Sequence, residues 1–250
     1  MKEPKAVLIT GASSGIGAAL ARLYAEAGVH LALTGRDADR IEATATACRG
    51  LGATVEARDL DVRDRPAMAD WIGDLDGRRP LDLVVANAGI DGVGLDEAAR
   101  AHTIFAVNLM GVVNTVLPAL EAMQARGRGQ IAIVSSLAGY LGLAGAPDYA
   151  ASKAAVRVWG DGLRRRHADD GVDVAVICPG FVESRITATN AFPMPLLWTA
   201  DRAAGYIQAR LARRKGFIAF PWPLRAITGA VSLLPPALLD VLVARLPRKL

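Results

Sequence analysis

The apolar positions of this chain gather in short strand-like runs, the most polar of them at 53–59, separated by longer stretches in which apolar and polar residues share a helical spacing. The runs are residues 5–10 (KAVLIT), 29–35 (VHLALTG), 53–59 (ATVEARD), 81–89 (LDLVVANAG), 130–136 (QIAIVSS) and 172–180 (VDVAVICPG), with a shorter one at 216–220 (GFIAF). Continuous β-branched runs of this kind suit strands covered on both faces, as in a parallel sheet. Between them, 15–27, 37–49, 65–74, 97–125, 149–169 and 199–213 read as helices, with Asp37 placed to cap the second. Right-handed strand–helix–strand crossovers then predict an α/β fold, a three-layer, doubly wound parallel sheet. No internal repeat, low-complexity tract or linker divides the chain, so 1–250 reads as one domain. The pattern loosens twice. Residues 181–198 form an irregular connection with two prolines, and 224–250 an apolar extension, broken by proline and basic at its end.

Composition narrows the class. A chain of 250 residues that is 52% hydrophobic and 22% charged buries a sizeable core and is not disordered. Cys48 and Cys178 stand far apart without metal-type spacing, which fits a reducing compartment better than a disulfide framework. The net charge is +4, but its cations are scattered, with small groups at 164–166 and 213–215. Without clustering or a recognition motif they read as solvated helix faces, and no nucleic-acid partner is expected. The N-terminal apolar run leads straight into a strand, so no signal peptide is expected, and a cytoplasmic protein is. No apolar run reaches the ~18–20 residues of a spanning helix. The nearest, 224–246, is interrupted by Pro235, Pro236, Asp240 and Arg245.

Chemistry begins at TGASSGIG (10–17), between the first strand and first helix. Gly11, Gly15 and Gly17 fall where the chain turns, where backbone approaches a pyrophosphate, and where helix packs on strand. Ser13, Ser14 and Ile16 complete the loop, and the helix start offers free N–H groups to an anion. The spacing differs from the usual dinucleotide fingerprint, Gly-x-Gly-x-x-Gly, but its placement after a first strand is that of a Rossmann-type fold. The second strand ends in LTGRD. Arg36 there suits the 2′-phosphate of NADP, where an acid would hold the ribose of NAD. Asp37 either caps its helix or opposes that phosphate. NADP(H) is therefore favoured over NAD(H).

TGASSGIG, NAG at 87–89, Ser136, YAASK at 149–153 and Pro179-Gly180 occur in this order and at these separations. Over about residues 1–190 the chain thus resembles the short-chain dehydrogenases/reductases. The resemblance implies NAD(P)-dependent interconversion of a carbonyl and an alcohol. It implies that Tyr149 and Lys153 are the catalytic Tyr-x-x-x-Lys pair, that Ser136, rather than Ser135, orients the substrate, and that Asn108 completes the tetrad. It places Asn87, with Ala88 and Gly89, beside the cofactor. Asp61 with Val62 would meet the adenine, Asp59 being the alternative to Asp61. Pro179, Gly180 and Val182 would face the nicotinamide, and Ser184 its carboxamide. Members of this family imply a homodimer or homotetramer.

The residues themselves support that chemistry. Carbonyl reduction needs a proton donor where negative charge develops. A tyrosine has an unperturbed pKa near ~10, and lowering it to about 7 takes roughly 4 kcal/mol of phenolate stabilisation. Lys153 shares a helix face with Tyr149 and brings a positive charge. Asn108 is expected to hold a water that relays protons to solvent through Lys153, although an asparagine here also reads as a local interruption of helix bonding. His102 reads as a surface or lid residue, His30 and His167 as incidental, and Cys178 as packing. Phe192, Met194, Leu196, Leu197 and Trp198 make 181–198 an apolar lid suited to an apolar carbonyl or alcohol substrate, or else a packing segment. The extension 224–250 reads as a pocket cover, a dimer contact or a membrane-surface contact. The expectation is NADPH-dependent reduction of a lipophilic ketone or aldehyde. NAD-dependent oxidation of a secondary alcohol, a non-catalytic NADP(H)-binding module and a peripheral membrane module are the alternatives.

Overall fold

The computed structural model describes residues 3–235 and 237–239. Its strands are β1 (Ala6–Thr10), β2 (His30–Gly35), β3 (Thr54–Asp59), β4 (Leu83–Ala86), β5 (Gly129–Val134), β6 (Val172–Pro179) and β7 (Phe217–Phe220). They form one parallel sheet in the order β3-β2-β1-β4-β5-β6-β7. The helices are α1 (Gly15–Tyr24), α2 (Ala38–Gly50), α3 (Arg65–Arg78), α4 (Glu97–Phe105), α5 (Gly111–Ala125), α6 (Pro147–Arg166), α7 (Arg185–Ala188), α8 (Ala200–Leu211) and α9 (Trp222–Val231).

Strand periodicity builds the three layers. Side chains alternate across a sheet, so Val7 and Ile9 enter one core while Ala6 and Leu8 enter the other. The first core meets α1, α2 and α8 through Leu20, Ile41 and Ile207. The second meets α3, α5 and α6 through Trp71, Val116 and Val156. β3 is an edge strand, and its half-exposed face carries Glu56 and Arg58. β1 pairs with β2 on one side and with β4 on the other. Strand order reverses there, and a doubly wound sheet opens its ligand crevice at the carboxyl ends of such strands.

Boundaries differ from the pattern-based reading, most of all around the long central helix and after β6. The helix expected over 97–125 is α4 and α5 joined by a π-helical turn, Ala106–Met110. The combined run Ala99–Ala125 is long and apolar enough to cross a membrane, but 56% of its apolar window is buried inside the protein, so it is a core helix. α3 runs on to Arg78, and its N-cap is Asp64, which accepts from the Ala67 amide at 3.0 Å. The irregular connection contains the short helix α7, and the extension begins with α9. Residues 240–250, the end of that extension, lie outside the described residues.

Candidate active site

A cleft of about 830 Å³ runs across the carboxyl ends of the strands from the start of α2 to the start of α6. At its centre the chain turns through Gly11 (φ 66°) and Gly15 (φ 53°). Both lie in the left-handed region that glycine alone occupies without strain. A Cβ on Gly11 would stand 2.7 Å from Ala88 Cα, and one on Gly15 would stand 2.9 Å from Ser184 Cβ. Ser13, Ser14 and Ile16 line the cleft beside them. Ser14 sits at the N-cap of α1 without a side-chain capping bond, which leaves the first-turn amides without that acceptor. Gly17 is absent from the cleft wall. It backs the loop, where a Cβ would meet the Gly11 carbonyl and stand 2.6 Å from Asn87 Nδ2.

Asn87 ties the two central strand ends together. Its Nδ2 donates to the carbonyls of Thr10 at 3.0 Å and Gly11 at 3.1 Å. Thr10 Oγ1 accepts in turn from the Asn87 amide at 3.1 Å and the Ala88 amide at 3.2 Å. The segment from Asn87 to Gly89 is thereby fixed along the cleft wall.

Arg36, Asp37 and Arg40 line one end. Asp37 is the N-cap of α2 and accepts from the Arg40 amide at 3.0 Å, while its other oxygen pairs with the Arg40 guanidinium. The capping alternative is therefore the one realised. Val62 lines the wall with Leu60, but Asp61 between them does not. The Asp61 carboxylate is held by Arg63, at 2.6 Å and 2.9 Å from the guanidinium. Partial burial acts to raise its pKa, but the Arg63 bonds and the Arg36 charge prevail and hold it below the ordinary value.

The other end holds Ser136, Tyr149 and Lys153. Tyr149 sits in the first turn of α6, and Lys153 Nζ lies 5.8 Å from its ring centroid. Lys153 is buried, and its Nζ donates to the Val134 carbonyl at 3.0 Å. Ser136 hydrogen-bonds the Tyr149 side chain and donates to the Pro179 carbonyl at 3.4 Å. Ser135 instead donates to the Lys153 carbonyl at 2.7 Å, tying β5 to α6. Burial pushes the Tyr149 pKa up to about 12, with Ser136 pulling it down and Asp91 adding to the rise. Burial brings Lys153 down to about 8. The expectation that Lys153 lowers Tyr149 is thus not met in the protein alone. Desolvation outweighs an ammonium that is turned toward a backbone carbonyl and has its own charge weakened.

Asn108 lies in the π-helical turn, fully buried and outside the cleft wall. Its Nδ2 donates to the Ile90 carbonyl at 2.8 Å and to Ser152 Oγ at 3.1 Å, and its Oδ1 accepts from the Ile90 amide at 2.8 Å. Both donors are engaged, and one acceptor lone pair remains. Pro179, Gly180, Val182 and Ser184 all reach the cleft. Ser184 caps α7 reciprocally with Thr187. The connection is closed at its neck by a Val182–Trp198 bridge, in which the Glu183 amide donates to the Trp198 carbonyl at 2.9 Å. Trp198 stacks on Phe220 with centroids 4.8 Å apart.

Sequence reasoning missed Arg40, Asp91 and Thr187 on the cleft wall. Arg40 was within reach, because a residue three positions after an N-cap folds back on it. Asp91 follows the NAG segment by two residues. Thr187 carried no signal before α7 was known. Of the other singled-out residues, Cys178 is fully buried and His167 Nδ1 lies 2.7 Å from Asp170.

Comparison with known proteins agrees with this geometry. The sequence model of the short chain dehydrogenase family matches residues 5–192. An uncharacterized oxidoreductase of Myxococcus xanthus is 39% identical over 246 residues, 97% of each chain. Ketoacyl reductase HetN of Nostoc is 34% identical over 184 residues, 71% of this chain and 63% of that one. Among solved structures, a short-chain dehydrogenase from Sphingobium yanoikuyae in complex with NADPH superposes with a TM-score of 0.79 at 25% identity, covering 93% of this chain and 97% of that one. One from Burkholderia phymatum in complex with NAD reaches 0.82 at 23% identity, covering 100% and 98%, a likeness of fold. Order of motifs, sheet topology and kinship converge: this chain belongs to the short chain dehydrogenase family of oxidoreductases.

Proposed function

We propose that the protein reduces the carbonyl of a lipophilic ketone or aldehyde with NADPH. The observation that carries the cofactor choice is the pair of guanidinium groups, Arg36 and Arg40, on the cleft wall at the end of β2. Of the carboxylates near them, Asp37 is engaged by the first turn of α2 and by Arg40, and Asp61 by Arg63. Two cations facing a bound 2′-phosphate favour NADPH by charge-assisted hydrogen bonds. The cleft also fits a dinucleotide in shape. Its centre is a glycine cradle that any Cβ would fill, with a helix start behind it.

When bound, the cofactor supplies the hydride. The residues of this chain supply the rest. Tyr149, protonated across the neutral range, is the acid that gives its proton to the carbonyl oxygen. Ser136, hydrogen-bonded to Tyr149, orients that oxygen. Lys153 holds a positive charge behind the tyrosine and offsets the phenolate formed when the proton leaves. Asn108 fixes Ile90 and Ser152, the neighbours of both catalytic elements. Val93 and Ile186 on the cleft wall, with Leu196 and Leu197 exposed on the connection, support an apolar substrate.

The test is steady-state kinetics on a panel of ketones, aldehydes and secondary alcohols with both cofactors. NADPH should be preferred, and Arg36→Asp should lower that preference by about 10- to 100-fold, the worth of a charge-assisted bond. An unchanged preference would overturn the assignment in favour of NAD-linked alcohol oxidation.

A further inference from the structure

The chain that leaves β4 loops out before it returns as α4, and two contacts hold this loop. Its base, Ile90, is bonded through both amide and carbonyl to Asn108. Its tip turns at Gly92, buried and at φ 74°, and lies on Arg100 of α4. A Cβ on Gly92 would stand 2.5 Å from Arg100 Cγ and 2.9 Å from Ile104 Cδ1, so only a glycine lets the loop settle there. Past this contact Arg100 reaches α6, where its Nε donates to Asp148 Oδ2 at 3.3 Å. Asp148 lies in the first turn of α6, immediately before Tyr149. One side chain therefore spans from the loop tip to the turn that carries the proton donor.

The span matters because of what it crosses. A cavity of about 80 Å³ lies between the loop and α6, and Arg100, Ile104, Ala146 and Asp148 line it. Asp91, Val93 and Tyr149 line both this cavity and the large cleft, so a single layer of side chains separates the two. A wall with empty space behind it has few packing contacts to hold it in place. Arg100 and Asp148 supply the brace, with side chains only 30% and 20% exposed and so less screened than a surface pair. We propose that Arg100 is a positioning residue for carbonyl reduction, bracing residues 91–95 against the first turn of α6 and so setting the width of the substrate end of the cleft between Asp91, Val93 and Tyr149. Arg100 is absent from the wall of the large cleft and acts through Gly92 and Asp148. Without it the wall yields, the Tyr149 hydroxyl loses its alignment with the carbonyl oxygen, and the small cavity opens to the substrate. This role rests on the reading of Tyr149 as the proton donor.

The test is NADPH-dependent reduction of methyl alkyl ketones, from acetone to methyl octyl ketone, by the wild type, Arg100→Ala, Arg100→Lys, Asp148→Asn and the Arg100→Ala, Asp148→Asn double variant. Arg100→Ala should lower kcat for the short ketones by about tenfold or more, because a misplacement of roughly 1 Å costs up to about a hundredfold. It should also raise kcat/KM of longer ketones relative to shorter ones, by about fourfold for each methylene that enters the opened cavity. Asp148→Asn should shift selectivity in the same direction, and the double variant should go no further than the stronger single one. Arg100→Lys, which keeps stem and charge, should restore most of the wild-type pattern, and NADPH affinity by fluorescence titration should stay unchanged throughout. Unaltered kcat and selectivity in Arg100→Ala overturn the proposal. So do additive effects of the two substitutions, and so does an equal loss of kcat across the series with a lowered denaturation midpoint, which marks a bridge that only supports the fold. If Tyr149→Phe leaves reduction intact, or the wild type reduces no ketone in the series, the proposed function falls as well. If Tyr149→Phe abolishes reduction while the Arg100 variants behave as wild type, the role of Arg100 falls alone.

Discussion

Replacing Asn108 with alanine isolates what that residue does. The substitution removes three hydrogen bonds at once, two of them to the main chain of Ile90 and one to Ser152. Ser152 keeps its bond to the Tyr149 carbonyl at 2.8 Å and so loses little. Ile90 keeps nothing in exchange, and an orphaned buried polar group costs about 1–3 kcal/mol. Two such groups give ~2–6 kcal/mol, and because Ile90 is only half-buried, water repairs part of the loss, leaving about 2–4 kcal/mol. That is a large share of the ~5–15 kcal/mol that holds a typical domain. Guanidinium denaturation followed by far-ultraviolet dichroism measures it as a lower midpoint at unchanged slope. Asn108→Asp keeps the acceptor for the Ile90 amide but loses both donors, so its midpoint should be lowered as well. A loss under about 1 kcal/mol for Asn108→Ala would refute the reasoning. It would return Asn108 to the water-relay role expected from sequence, since a relay residue need not support the fold.

Other expectations follow from the same geometry. Tyr149→Phe removes the proton donor and should lower kcat by about 10²- to 10⁴-fold, while cofactor affinity by fluorescence titration holds; intact turnover would remove Tyr149 from the mechanism. Lys153, with its pKa brought down to about 8, is an ammonium below that pH and neutral above it. Tyr149, near 12, keeps its proton throughout. Reductive kcat/KM should therefore be level below about pH 8 and fall roughly tenfold per unit above it, and a profile flat to pH 10 would contradict the role given to Lys153. The same shift has a stability sign. A lysine whose folded pKa lies below its unfolded value is a burden fully present below about pH 8, and it fades as pH rises toward the ordinary lysine value. Lys153→Met should accordingly raise the denaturation midpoint at pH 7 while abolishing turnover, and a lowered midpoint would show that the bond to Val134 outweighs the burial of charge.

What could be read before the fold was known depended on how local its cause was. Strand runs such as 172–180 were legible because a strand buried on both faces is apolar at nearly every position, Asp173 near the start of this one being the exception. The glycine loop and the Tyr149–Lys153 pair were legible because one turn of backbone sets each of them. Gly17 was placed by the spacing of its loop, as a packing position, and Asp61 and Asn108 by resemblance; none of the three lines the cleft. Gly17 is needed for backbone clearance, Asp61 is engaged by a neighbour two residues on, and Asn108 is bound across a gap of eighteen residues to Ile90. The π-helical turn and α7 were invisible for a related reason. Tertiary contacts decide each, with no composition of its own. Burial raises the Tyr149 pKa in the protein alone, a cause that a sequence does not display as it displays a charge pair.

The neck between Val182 and Trp198 has a consequence for how such an enzyme diversifies. The neck is anchored by backbone bonds and by the Trp198–Phe220 stack, so the stretch it encloses begins and ends at the same place on the sheet whatever lies between. Lengthening a loop of fixed ends is thermodynamically mild, about 0.6 kcal/mol for each doubling. Residues 190–197 can thus be lengthened, shortened or recomposed without disturbing the register of β6 or the Gly15 turn, against which Ser184 packs. On the proposed function, the stretch that would meet substrate is free to vary while the glycine turn stays constant, and grafting a different segment between these two anchors is a route to new specificity on an unaltered frame.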